Sequence, residues 1–353
     1  MNKRYFVTSL VVVLCLSMAP SAFGQAGLTP DTEVETKKLG QTGMKFLSVS
    51  IDARATAIGS AMTAQWEGSS TSMLYNPASM AFMPGNFHVA AGNLGFIADI
   101  GYNQATAAYR PSWGNVGVFG LSLVGVDYGD FIGTVRADNT DGFVETGIFN
   151  PTSAAIGFGY ARSFSERFSA GANIKMAFQN FVGEFVTSQV FETGEVLSME
   201  SYRSRTVAFD FGILYSTGFR SLVIGMSARN FSRDLTYVRE RFELPLTFQI
   251  GVAMDLIDFT AMDPNMHSIM AHVDAQRPRD FDEHVRFGIE YTFMNIVSLR
   301  GGFEQAAVSE EQGFSLGAGL NYDMGGARFG ADYAYTDFGL FGSLDRFALH
   351  IGF

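Results

Sequence analysis

The chain has 353 residues, 47% of them hydrophobic and only 17% charged, with a mean hydropathy of +0.12. The longest apolar stretch, residues 10–16, falls short of the 18 or so residues of a helical membrane span, which excludes a helical transporter, and the apolar content excludes a disordered chain. Glycine is abundant at 39 residues and aromatics reach 14%. Much glycine, many aromatics, little charge and no hydrophobic run are what alternating strands in lipid show.

Residues 1–24 read as a secretory signal. Lys3 and Arg4 give the positive start, residues 7–16 the apolar stretch, and Ala22-Phe23-Gly24 a small-x-small cleavage site. The only cysteine, Cys15, lies inside it, and Leu14 before it argues against a lipid anchor. The remaining chain then has no thiol, which removes cysteine nucleophiles and cysteine metal ligands. Taking Lys3 and Arg4 from the 24 basic residues leaves 22 against 35 acidic ones. So acidic a chain lacks the clustered cations that nucleic acid requires.

Residues 25–85 divide into a polar linker and a short plug. Over 44–64 the apolar Phe46, Leu47, Ile51, Ala55, Ile58 and Met62 recur at helical spacings, predicting one or two short helices. In Tyr75-Asn76-Pro77-Ala78-Ser79-Met80, Pro77 keeps Asn76 out of the helical region and starts another.

From Asn86 to the end, residues 86–353, the period falls to two. Phe168, Ala170, Ala172, Ile174, Met176 and Phe178 alternate with Ser169, Gly171, Asn173, Lys175 and Ala177, and residues 244–256, 285–293, 314–323 and 347–353 behave alike. These segments are longer than the 5 or 6 residues usual in soluble proteins and match the 9 to 11 of a tilted strand crossing a bilayer. Fourteen are readable, with mostly short connections on one side and mostly longer ones on the other. The expected fold is all-β: a transmembrane antiparallel up-and-down β-barrel of about 14 strands, with a short helical N-terminal plug, in the outer membrane of a Gram-negative-type bacterium and surrounded by its lipid.

Lys175, Asp210, Arg229, Asp255, Arg286, Glu290, Arg300, Asp323, Arg328 and Asp332 fall on the polar face, and their mixed signs predict a ladder of pairs bracing the lumen. Arg54, a lone cation amid alanines and isoleucine, is expected to join it from the plug. A greasy pocket is expected beside the plug near Phe46, Leu47 and Met80. At the C-terminus Phe347, Leu349, Ile351 and Phe353 alternate outward, the pattern of an insertion signal for the barrel-assembly machinery.

No catalytic residue, metal or cofactor is expected. Gly313-Phe314-Ser315-Leu316-Gly317 has hydrolase spacing but lies in a clean strand rather than a strand-to-helix turn. His267 and His272, five apart on a strand, point to opposite faces. Asp138-Asn139-Thr140-Asp141-Gly142 reads as a solvated turn.

The segments Gly43-Met44-Lys45-Phe46-Leu47, Asp52-Ala53-Arg54-Ala55, Ile58-Gly59-Ser60-Ala61 and Tyr75-Asn76-Pro77-Ala78-Ser79-Met80-Ala81 resemble the start of the PorV/PorQ family of outer-membrane proteins, a branch of the FadL-like barrels. The sequence departs at Ile58-Gly59-Ser60, where Met-Gly-Gly is commoner. In FadL-type fatty-acid transporters the element matching Asn76, Pro77 and Ala78 belongs to the plug, and the resemblance implies the same here. It implies first a role in type IX protein secretion, with secretion-system subunits and exported proteins as partners and surface attachment of those proteins. Second comes uptake of a hydrophobic small molecule, and third a mainly structural barrel.

Overall fold

The computed structural model describes residues 40–111, 116–186, 199–237, 240–306 and 313–353. Residues 1–39, which include the stretches read as signal and linker, lie outside them. The alternation of apolar with small or polar residues folds into strands β1 (Phe87–Gly95), β2 (Gly101–Tyr109) and β3 (Val118–Asp127). A hairpin of β4 (Phe131–Arg136) and β5 (Phe143–Phe149) follows, then β6 (Thr152–Ser165), β7 (Phe168–Val186), β8 (Met199–Ser216) and β9 (Val223–Ser232). A second hairpin, β10 (Leu235–Tyr237) with β11 (Glu240–Phe242), precedes β12 (Thr247–Asp255), β13 (His267–Pro278), β14 (His284–Phe293) and β15 (Val297–Ala306). The chain ends with β16 (Phe314–Met324), β17 (Ala327–Asp337) and β18 (Ser343–Gly352).

Leaving out the two hairpins, the fourteen strands close into an antiparallel barrel in which β1 pairs with β18, from His88↔Gly352 to Gly95↔Asp345. Closure satisfies every edge, as a strand structure in lipid requires. The last residue helps to seal the seam: the Phe353 carbonyl accepts from the Asn86 and Phe87 amides at 2.7 and 2.8 Å, and its ring stacks on Phe87 at 5.4 Å. The outer wall carries exposed Leu121, Ile156, Phe158, Ile174, Phe211, Phe248, Ile289, Leu316, Phe347 and Leu349, a band that belongs in lipid. Among the described residues no helix is long and apolar enough to cross a membrane.

One end of the barrel, here the turn end, has tight connections such as Glu166 and Arg167 between β6 and β7, or the left-handed pair Gly325 and Gly326 between β16 and β17. The loop end carries both hairpins. Three boundaries depart from the alternation. The hairpins sit in stretches that read as loops. The strands expected over 167–178 and 206–216 run on as β7 and β8. β12 begins at Thr247 rather than Leu244, because Pro245 has no N–H for the ladder and Leu244 turns into the core at 1% exposure.

Residues 40–86 thread the lumen from the loop end to the turn end. The Gly40 amide donates to the Asp280 carbonyl at the first, and Arg110 Nη1 donates to the Met83 carbonyl at the second. Four short elements form on the way: 3-10 turns at Lys45–Ser48, Ser70–Leu74 and Pro77–Phe82, and helix α1 (Ala53–Ala57). Each is kept short by its own sequence. Asp52 caps α1 by accepting from the Ala55 amide at 2.8 Å, and the left-handed Gly59 and Ser60 end it.

The plug is held where the barrel wall has no side chains. Four pairs of directly opposed glycines face inward: Gly120↔Gly159, Gly171↔Gly212, Gly225↔Gly251 and Gly288↔Gly302. Met73 and Met80 sit over the first, Asn76 to Ala78 over the second, Thr63 over the third, and Ile58 with Gly59 over the last. A Cβ at Gly212 would collide with the Asn76 amide, and one at Gly302 with the Ile58–Gly59 backbone. At Gly171, Gly225, Gly288 and Gly302 plug main chain therefore lies against strand main chain, while side chains of Met73, Met80 and Asn76 fill the space over Gly120, Gly159 and Gly212. Gly301, the outward neighbour of Gly302, meets nothing closer than 3.8 Å. Gly302→Val is expected to cost at least about 1 to 3 kcal/mol by overpacking, read as a lower temperature of the heat-modification shift on unboiled gels, while Gly301→Val leaves that temperature near wild type.

Candidate functional site in the barrel lumen

The plug divides the lumen into two spaces. Toward the turn end lies a cavity of about 990 Å³ with Arg54, Trp66, His88, Glu290, Arg300 and His350 in its wall. Arg54 projects from α1 and donates from Nε and Nη2 to both carboxylate oxygens of Glu290 at 3.0 and 2.8 Å. Glu290 also accepts from Arg300 Nε, whose Nη1 donates to Asp332 Oδ1 at 2.6 Å. Asp332 Oδ2 lies 3.3 Å from His350 Nδ1, and His350 stacks on His88 at 5.6 Å. His88 Nδ1 returns to the plug at Ser70 Oγ, 2.9 Å away. The chain of contacts thus leaves the plug at Arg54, passes along β14, β15, β17, β18 and β1, and rejoins it at Ser70. Charges so deeply buried are tolerable only when each is paired and hydrogen-bonded.

The remaining charges with inward parity serve other places. Lys175 Nζ pairs with Asp210 Oδ2 at 2.9 Å. Arg286 Nη2 donates to Glu304 Oε1 at 3.2 Å. Asp255 accepts from the amides of Ile257 and Ile269 and from Ser268 Oγ, so it orders the β12–β13 connection. Asp323 and Arg328 bond across the β16–β17 turn at 2.8 and 3.3 Å in an exposed position at the rim. They stand apart from the buried network.

Toward the loop end is a small pocket of about 40 Å³ walled by Phe46, Leu47, Val49, Ile51, Leu74 and Val124, with Lys175, Arg229, Gln104 and Tyr75 at its polar side. Arg229 lies over the Tyr75 ring at 5.6 Å. Its Nε and both amide atoms of Gln104 are buried without a hydrogen-bond partner among the described residues. Such orphans are uncommon in native interiors and mark places where water or a ligand group completes the bonding. The expectation that Met80 shares this pocket is corrected. The 3-10 turn at Pro77–Phe82 carries Met80 to the opposite side, where it packs with Met73 and Met83 against Ala108, Val118 and Ala161. Asn76 is fully buried and donates from Nδ2 to the carbonyls of Thr63 and Ile213 at 2.7 and 3.0 Å, while its Oδ1 accepts from the Ala78 amide. Asn76, Pro77 and Ala78 are seats of the plug rather than parts of either space.

Several contributors were not singled out by sequence. Arg346 donates to the Ser50 carbonyl at 3.0 Å and to Thr336 Oγ1 at 2.9 Å. Asp274 accepts from the Thr63 amide at 2.9 Å. His88 and His350 complete the turn-end chain. Their signal was inward parity, which Arg346 and His350 share beside outward Phe347 and Leu349. Arg229 and Asn230 face inward together because the β8–β9 register shifts there and Asn230 takes a left-handed φ of 63°. Glu290→Ala, which takes from Arg54 the carboxylate it pairs with and leaves Arg300 with Asp332 alone, is expected to destabilise the barrel by about 3 to 5 kcal/mol, whereas Asp323→Ala at the rim leaves thermal unfolding nearly unchanged.

No family model and no curated protein matches the chain. Solved structures do. The Ralstonia pickettii toluene transporter TbuX is 15% identical with a TM-score of 0.53, covering 86% of this chain and 97% of its own. The Pseudomonas putida toluene transporter TodX is 12% identical with a TM-score of 0.51, covering 84% and 96%. The monoaromatic hydrocarbon channel CymD is 14% identical with a TM-score of 0.51, covering 86% and 96%. At these identities the likeness is one of fold. The chain has a closed fourteen-strand antiparallel barrel with the fold of these transporters and channels.

Proposed function

We propose that the barrel conducts small hydrophobic molecules across the outer membrane, binding them at the loop-end pocket. The observation that carries this reading is the pocket itself: six apolar walls, four of them from residues 46–51, meet a polar side with orphaned donors at Arg229 and Gln104. That combination fits a largely apolar molecule that offers the donors an acceptor, either a polar atom or an aromatic π face. The fold shared with transporters and channels for monoaromatic compounds supports it, and those neighbours are in keeping with a non-enzymatic barrel.

A PorV/PorQ role in type IX secretion rests on the resemblance of the N-terminal motifs and becomes the alternative. The two readings part in one experiment. Purified protein in liposomes is expected to admit toluene faster than protein-free liposomes, and Leu47→Trp, which fills the pocket, is expected to slow entry severalfold with the barrel still folded. Equal entry with and without the protein contradicts the conduit; loss of surface-displayed exported proteins from a deletion strain that still takes up toluene favours the secretion alternative.

A further inference from the structure

The loop-end pocket is too small for the ligands just proposed. About 40 Å³ holds little more than one water, whereas a cavity that takes up benzene measures roughly 150 Å³. Some wall has to move. The lower plug is poorly suited to moving, since Ile58, Gly59, Thr63, Pro77 and Ala78 are seated main chain to main chain on glycines of β7, β9, β14 and β15, and the Asn76 amide fills the space at Gly212 of β8. The wall formed by residues 40–51 has no such seat among the inward glycine pairs. It is held by two amides, by the apolar packing of Met44, Phe46, Leu47 and Ile51, by side-chain bonds at its loop end and, at its inner end, by the Arg346 bond to the Ser50 carbonyl.

Those contacts form a clamp at the mouth of the barrel. Thr42 Oγ1 donates to Asp280 Oδ2 at 2.6 Å and Lys45 Nζ pairs with the same oxygen. The amides of Gly40 and Gly43 donate to the carbonyls of Asp280 and Glu243 at 3.0 and 2.9 Å. Lys45 also sits 4.4 Å from the Phe281 ring centre, and the Phe242 ring lies on Gly43, where a Cβ would displace it. Arg279 and Glu243, 3.1 Å apart, tie the two jaws together. Asp280 is the hub. Burial by itself would raise its carboxyl, but the hydrogen bonds from Lys45 and Thr42 outweigh it and hold the group below its ordinary value of 3.8. The latch is therefore charged and closed at neutral pH and is lost only as pH falls through that lowered value.

We infer that residues 40–51 are a strap that opens the loop-end pocket by releasing the Thr42–Lys45–Asp280 latch, while the rest of the plug stays on its glycine seats. The inference rests on the conduit reading for its purpose but not for its test. Phe46, Leu47, Val49 and Ile51 leave the pocket with the strap, which enlarges it and uncovers it toward the loop end in one movement. Arg229 and Gln104 remain behind on the wall to meet the ligand.

Cysteine labelling tests the movement directly, because Cys15, the only cysteine, lies in the segment read as a cleaved signal. Leu47→Cys in the strap and Met73→Cys in the seated plug are each combined with Asp280→Ala, and folded barrels are treated with a membrane-impermeant maleimide. Asp280→Ala is expected to speed labelling at position 47 severalfold and leave position 73 unchanged. Equal rates at position 47 with and without Asp280, or equal acceleration at both positions, overturns the strap. Faster labelling at 47 in a barrel that admits no toluene keeps the strap and removes the conduit reading instead.

Discussion

The absence of side chains at four cross-strand glycine pairs governs this barrel. A wall of ordinary residues would hold the plug one side chain further inward, and in a closed fourteen-strand barrel the plug would not fit. Where Gly288 faces Gly302, and at Gly171, the plug main chain lies on the strand main chain, and at Gly212 the Asn76 amide takes the place of the missing side chain. Each missing Cβ lowers intrinsic strand stability, since glycine is a poor strand former. The loss is offset by dense contact between two backbones and by hydrogen bonds such as Asn76 Nδ2 to the Ile213 carbonyl.

Two spaces follow from that seating. On the turn side, α1 is placed so that Arg54 reaches Glu290, and a continuous run of charge and imidazole lines the wall of the wide cavity. On the loop side, the strap covers a narrow apolar pocket whose polar side is the bulge of β9. Electrostatics thus fixes the plug against one wall of the barrel and main-chain contact fixes it against most of the rest. The strap depends on the apolar packing of Met44, Phe46, Leu47 and Ile51 and on the latch at Asp280, with no glycine pair beneath it.

Period-two alternation made the strands, their number and the orientation of most charges legible, because the two faces of each strand meet different solvents. The hairpins were not legible: β4–β5 has exposed residues on both faces and so no contrast to read, and the strands of β10–β11 are only three residues long. Pro245 was a visible signal that β12 starts late. The glycine seats were half legible. Gly171, Gly288 and Gly317 plainly fell on the inner face, but which glycines stand opposite one another depends on register, and register depends on connections that a single sequence does not specify. Met80 was misplaced for a related reason, since a 3-10 turn of six residues aims a side chain by its start at Pro77 rather than by apolar spacing.

The claim that the plug is seated on main chain while the strap is latched by side chains is tested most directly by hydrogen exchange on the folded barrel in detergent, read by mass spectrometry of peptides from the two segments. The amides of Ile58, Gly59 and Ser60, which donate to the Ala55 and Thr56 carbonyls, are expected to exchange as slowly as those of β14 and β15, and the amides of residues 43–47 markedly faster. Exchange of residues 58–60 at the rate of 43–47 contradicts the account.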